Sequence, residues 1–185
     1  MSDNRHTTLL VTGASGHFGR RVLELLLEAG ANSIIATTRT PETLAEFSAR
    51  GVTVRYADFD KPETLASAFA GAERLLLTST SDAIQGMRRF FQQVNAVKAA
   101  EDAGVRHVLY ISLTNPDDTP ITLAPDHRGT EAALGASSMG WTILRNNVYA
   151  DTLVAGLAQA AQMGALYSSA GDGRTSYVTR EDCAR

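Results

Sequence analysis

The chain has 185 residues, one cysteine and a formal net charge of -3 at pH 7. That length suits one well-buried domain and is short for two. The charge excludes a basic nucleic-acid footprint, and a lone Cys183 excludes an internal disulfide framework or a cysteine-based zinc site. The polar opening MSDNRHTT holds no signal-peptide core and no apolar run nears membrane-spanning length, so a soluble cytoplasmic protein without membrane or nucleic-acid partners is expected.

Leu9 to Gly19 reads LLVTGASGHFG: the end of a buried strand, then glycines at Gly13, Gly16 and Gly19, then an amphipathic helix carrying Val22, Leu25, Leu26 and Ala29 on one face. That order suits a pyrophosphate. Gly13 allows the tight turn, Gly16 lets the backbone approach phosphate, Gly19 lets helix and sheet pack closely, and the helix start points its unpaired amides at the anion. A glycine turn without a ligand has the same composition; the strand before it and the helix after it favour a dinucleotide site.

Further on, Ser33–Thr38 reads as a second strand, and Thr40 caps a helix headed by Pro41 and ended by Gly51. Val52–Ala57 alternates as a third strand, and Asp60 with Glu63 forms a capping-box pattern before a helix closed by Gly71. Leu75–Leu77 is a short apolar strand followed by the polar cluster Thr78, Ser79, Thr80, Ser81. A helix from about Met87 to Ala103 carries Phe90, Val94, Val97 and Ala100 on one face, and Val108–Ile111 is the fifth strand. A proline-rich loop, a helix near Asp126–Leu134, a sixth strand at Trp141–Leu144, a helix near Leu153–Met163 and a short strand near Ala165–Tyr167 follow. The alternation predicts an α/β, Rossmann-type parallel sheet of order 3-2-1-4-5-6 with helices on both faces. Thr179–Asp182 starts a helix one turn from the end of the chain, which favours a fragment over a naturally short protein.

The end of the second strand, Thr37-Thr38-Arg39-Thr40, lacks the carboxylate that would bind NAD ribose hydroxyls, and the Arg39 guanidinium suits a 2′-phosphate. NADP(H) is therefore expected over NAD(H), the alternative being a solvated loop arginine. Asp58 and Phe59 suit an adenine or a solvated loop, and His17 suits phosphate or solvent. No tyrosine has a lysine four residues on, so the Tyr-x-x-x-Lys proton-transfer pair is absent. His127 and Glu131 stand at i, i+4 on a helix, either as proton donor and orienting carboxylate or as a surface ion pair. The four histidines have no metal spacing, and GxxxxGK and GxSxG motifs are lacking.

Together VTGASGHFG, VRYADFD, LLLTSTS, YISL, the segment from Asp126 to Glu131, LRNNVY and AGDGR…TRED resemble the NmrA-like atypical short-chain dehydrogenase/reductases, most closely their type 2 NAD(P)H:quinone oxidoreductase branch. Asn147 and Cys183 depart from the common pattern, where a glycine and an aromatic are frequent. The resemblance implies cofactor contacts from Gly13, Ser15, Gly16, His17, Phe18, Gly19, Arg39, Asp58, Phe59, Thr78, Ser79, Thr80, Ser112 and Asn146, and chemistry near His127, Asn146 and Tyr149. It implies a binding domain over residues 1–145, the start of an incomplete substrate-side lobe over 146–185, and hydride transfer from NADPH to a small quinone-like acceptor without flavin or metal. A non-catalytic NADP(H)-binding redox sensor is the alternative, and homodimer formation stays open.

Overall fold

The computed structural model describes residues 7–80, 87–167 and 171–185; the first six residues, Ser81 and Ala170 lie outside that range. Strands β1 (Leu9–Val11), β2 (Ile34–Thr38), β3 (Thr53–Tyr56), β4 (Arg74–Leu77), β5 (His107–Leu113) and β6 (Gly140–Asn146) form one sheet in the order β3-β2-β1-β4-β5-β6. Every pairing is parallel. Val11 lies level with Ala36 of β2 and Leu76 of β4, so the chain leaves β1 at the crevice where the winding direction reverses.

Side-chain alternation explains why the central strands are almost wholly apolar. Leu10 and Ile35 enter one core, with Leu65, Phe69, Leu75, Val97 and Leu134, whereas Val11, Ile34 and Ala36 enter the other, with Val22, Leu23, Leu44 and Phe47. The first core is closed by helices α3 (Leu65–Phe69), α4 (Arg88–Asp102) and α5 (Ala124–Ala136), the second by α1 (His17–Glu28) and α2 (Ala45–Ala49). The expected Rossmann-type arrangement is therefore the observed one.

Four local expectations need correction. Pro41 heads a single 3-10 turn, Pro41–Leu44, before α2, and the Thr40 side chain caps no amide. The Asp60–Glu63 capping box does not form, because the Asp60 carboxylate is taken by Arg88 at 3.0 and 2.7 Å and by Gln92 at 2.9 Å. On α4 the buried face is Arg89, Gln92, Gln93, Ala96, Val97 and Ala100, rotated from the predicted apolar stripe, with Arg89 and Gln92 bonded to neighbouring elements. No strand forms at Ala165–Tyr167, where Tyr167 is 83% exposed and lacks a pairing partner among the described residues; a bridge between Tyr149 and Val178 forms instead.

Two helices complete the chain. Helix α6 (Leu153–Met163) occupies the range its pattern predicts and leaves Val154 and Leu157 exposed. Helix α7 (Arg180–Ala184), too short to persist alone, is held from outside. Thr179 Oγ1 accepts from Asp182 N at 3.0 Å, and Glu181 binds Arg21 of α1 through two hydrogen bonds of 2.5 and 2.9 Å.

Candidate dinucleotide-binding cleft

A cleft of about 460 Å³ opens at the carboxyl edge of the sheet, where β1, β2 and β4 end. Its centre is the glycine turn. Gly13 has φ +59°, a left-handed conformation, and a Cβ there would collide with Thr78 Oγ1. At Gly19 a Cβ would sit 2.6 Å from the Gly13 carbonyl and 2.8 Å from Ala14 Cα, so the close approach of helix to turn requires glycine. Gly16 is the N-cap of α1 with no side-chain cap, which leaves the first helical amides without intrahelical acceptors beside the cleft.

Each wall is braced by short polar contacts. On the β2 side, Thr38 Oγ1 donates to Ser15 Oγ at 2.9 Å and accepts from Thr40 N at 3.2 Å, which holds the segment that presents Arg39. After β3, Asp58 Oδ1 accepts from Asp60 N at 3.1 Å, and Asn95 of α4 donates to the Phe59 carbonyl at 3.0 Å. The Phe59 ring meets Phe69 edge-on at 6.5 Å. On the β4 side, Thr78 N donates to Thr12 Oγ1 at 3.0 Å and Thr78 Oγ1 donates to the Thr12 carbonyl at 2.9 Å, tying the two crevice loops together. Gln92 joins both walls: it accepts from Thr80 at 2.8 Å and donates to Asp60 at 2.9 Å. The Arg88 hydrogen bonds hold Asp60 below the usual carboxylate range.

Of the predicted cofactor residues, Gly13, Ser15, Gly16, His17, Phe18, Gly19, Arg39, Asp58, Phe59, Thr78, Ser79 and Thr80 line this one cleft, and so does Tyr149. Thr37, Thr38, Ala57, Gln92 and Arg180 line it too and were not singled out. Thr37 and Thr38 flank Arg39 and were within reach of the sequence; Gln92 carries no local signal, and the TRED segment gave no reason to place Arg180 at the cleft.

Ser112, His127 and Asn146 do not line the cleft. Ser112 is 4% exposed and donates to Glu131 Oε1 at 2.6 Å. Asn146 closes β6, and its buried Nδ2 makes no hydrogen bond within the described residues. His127, 4% exposed, lies between Arg89 and Tyr110 at 2.7 and 2.8 Å. Burial, reinforced by the Arg89 charge, pushes its pKa down to about 4. The surface ion pair anticipated between His127 and Glu131 is replaced by one from Arg145 to Glu131 at 2.6 Å. Burial raises the Tyr149 phenol above its ordinary value.

An open parallel sheet with a glycine turn at its switch point and polar strand ends around one cleft defines a dinucleotide-binding protein. The family described as NAD(P)H-binding matches residues 13–185, and the chain belongs to that family. It is 38% identical over 177 residues to Quinone oxidoreductase 2 of Escherichia coli (strain K12), covering 95% of this chain and 61% of that protein. It is 33% identical over 149 residues to the NmrA-like family domain-containing oxidoreductase flvB of Aspergillus flavus, covering 77% and 48%. The structure of Citrobacter sp. triphenylmethane reductase complexed with NADP(H) superposes with a TM-score of 0.90 at 37% identity, over 96% of this chain and 62% of that one. The NADPH complex of the E. coli NADPH-dependent quinone oxidoreductase gives 0.89 at 38%, with the same coverage. The resemblance to NmrA-like reductases is thus borne out, and the chain spans about three fifths of the length of its E. coli and Citrobacter relatives.

No helix among the described residues is long and apolar enough to cross a membrane.

Proposed function

We propose that this chain is the cofactor-binding part of a reductase that takes hydride from NADPH and delivers it to a quinone-like acceptor. The observation that carries the reading is the cleft itself: glycines whose missing Cβ atoms leave room against backbone, and Arg39 on the β2 wall among threonines with no carboxylate. The relatives described above, a quinone oxidoreductase and a triphenylmethane reductase complexed with NADP(H), support it.

Within this reading the amides at the head of α1 hold the pyrophosphate, Arg39 holds the 2′-phosphate, and Asp58 with Phe59 borders the adenine. When bound, NADPH supplies the hydride. Tyr149 faces the acceptor side, while Ser112 and Asn146, at the ends of β5 and β6, shape the strand ends from which its loop departs. Residues 146–185 belong, in this reading, to the start of a substrate-side lobe.

A quinone makes the absence of a Tyr-x-x-x-Lys pair tolerable, because hydride addition yields a stabilised phenolate that water protonates. His127 holds its neighbours in place without supplying the proton, since its ring nitrogens are taken by Arg89 and Tyr110 away from the cleft.

The test is NADPH oxidation with a simple benzoquinone by a flavin-free preparation, run on this chain and on any longer product of its gene. Turnover is expected from the longer product. NADPH binding without turnover there would favour a redox sensor instead.

A further inference from the structure

We propose that Arg180 is a second cofactor-binding guanidinium, contacting oxygen acceptors of the nicotinamide mononucleotide half as Arg39 contacts the adenosine half. The inference rests on the reading that the cleft takes NADPH.

Topology separates the two arginines. Arg39 follows β2, beside β1 on one flank, whereas Tyr149 follows β6, three strands from β1 on the other. With parallel strands about 4.8 Å apart, β2 and β6 are separated by roughly 19 Å, so one cleft lined from both ends suits an extended dinucleotide. Arg39 and Arg180 are the two guanidinium groups among its described lining residues; Arg39 follows β2, and Arg180 heads α7 two residues after Val178, which bridges to Tyr149 beyond β6.

Arg180 is held ready in that position. Its backbone amide donates to Asp151 Oδ2 at 3.1 Å. Just before it, Ala150 N donates to the Val178 carbonyl at 2.9 Å and Val178 N to the Val148 carbonyl at 3.1 Å. Just after it, Glu181 grips Arg21 of α1, the helix that grows from the glycine turn. The segment bearing Arg180 is therefore fastened to both the β6 loop and the pyrophosphate helix. The guanidinium lies over the Tyr149 ring at 5.1 Å, which orients its planar fork. It makes an ion pair with Asp151 at 3.6 Å through Nη1, and a guanidinium carries five N–H donors, so the rest of the fork stays available to an acceptor in the cleft.

The experiment is calorimetric titration of the chain with NADPH and, separately, with adenosine 2′,5′-bisphosphate, which lacks the nicotinamide half. Arg180→Gln is expected to weaken NADPH about tenfold and to change the bisphosphate less than about twofold, with Arg180→Lys recovering part of the loss. Equal losses for both probes, or no loss for either, would overturn the assignment by showing that Arg180 supports only the fold or faces only solvent. If the unaltered chain bound neither probe, the NADPH reading would fail, and Arg180 with it.

Discussion

Arg89 Nη2 and His127 Nε2 lie 2.7 Å apart inside the protein, with the arginine only 3% exposed. Arginine stays protonated, so Nε2 accepts, and the ring proton sits on Nδ1, where it is donated to the Tyr110 hydroxyl at 2.8 Å. Burial pushes the Tyr110 phenol up to about 12 and, with Arg89, the imidazole down to about 4. A ring of that kind is a neutral structural member near pH 7.

Stability should therefore depend on pH through His127. Its folded pKa of about 4 lies below the ordinary 6.5, so the unfolded chain binds the proton first. Its contribution is complete above about pH 6.5 and is lost as pH falls toward 4, a change of roughly 3 kcal/mol. Urea denaturation across that interval should show the loss, and His127→Asn should flatten it.

Arg39→Ala should weaken NADPH by about ten- to a hundredfold while leaving NADH nearly unchanged. Titration of the two nucleotides decides it: equal effects would mean that Arg39 does not read the 2′-phosphate.

Gly19→Ala places a methyl against the Gly13 carbonyl and Ala14 Cα, both backbone atoms that cannot swing aside. A destabilisation of about 1–3 kcal/mol is expected, together with loss of nucleotide binding as the turn is displaced. Gly135→Ala, where a Cβ meets nothing within 4 Å, is the control and should leave binding intact.

Glu181→Gln should loosen the last helix. Two hydrogen bonds to Arg21 hold the Glu181 carboxyl down at about 2. Hydrogen exchange over residues 178–184 should accelerate, most clearly at low salt, where the exposed pair is least screened. Arg21→Gln should do the same, and the double variant should add little, because both substitutions break one contact.

The strand order, the glycine turn and Arg39 at the end of β2 were legible because their signals are local, while Thr78, Ser79 and Thr80 came from the family resemblance. Apolar runs mark the buried strands, and Arg39 declares itself by standing where a carboxylate would. The polar face of α4 was not legible. Arg89, Gln92 and Gln93 look like solvent residues in a helical pattern, and their burial depends on what α5 and the loop after β3 bring opposite them. Asp60 misled for the same reason, since a capping pattern cannot reveal that Arg88 and Gln92 compete for its carboxylate.

Residue order within short windows thus settles the parallel-sheet architecture and the glycine turn at its centre. Tertiary packing alone decides that Arg88 meets Asp60 across 28 residues, Arg89 meets His127 across 38 and Arg21 meets Glu181 across 160. Helical and strand periodicities describe neighbours a few positions apart, and these pairs are chosen by which surfaces the folded sheet places face to face.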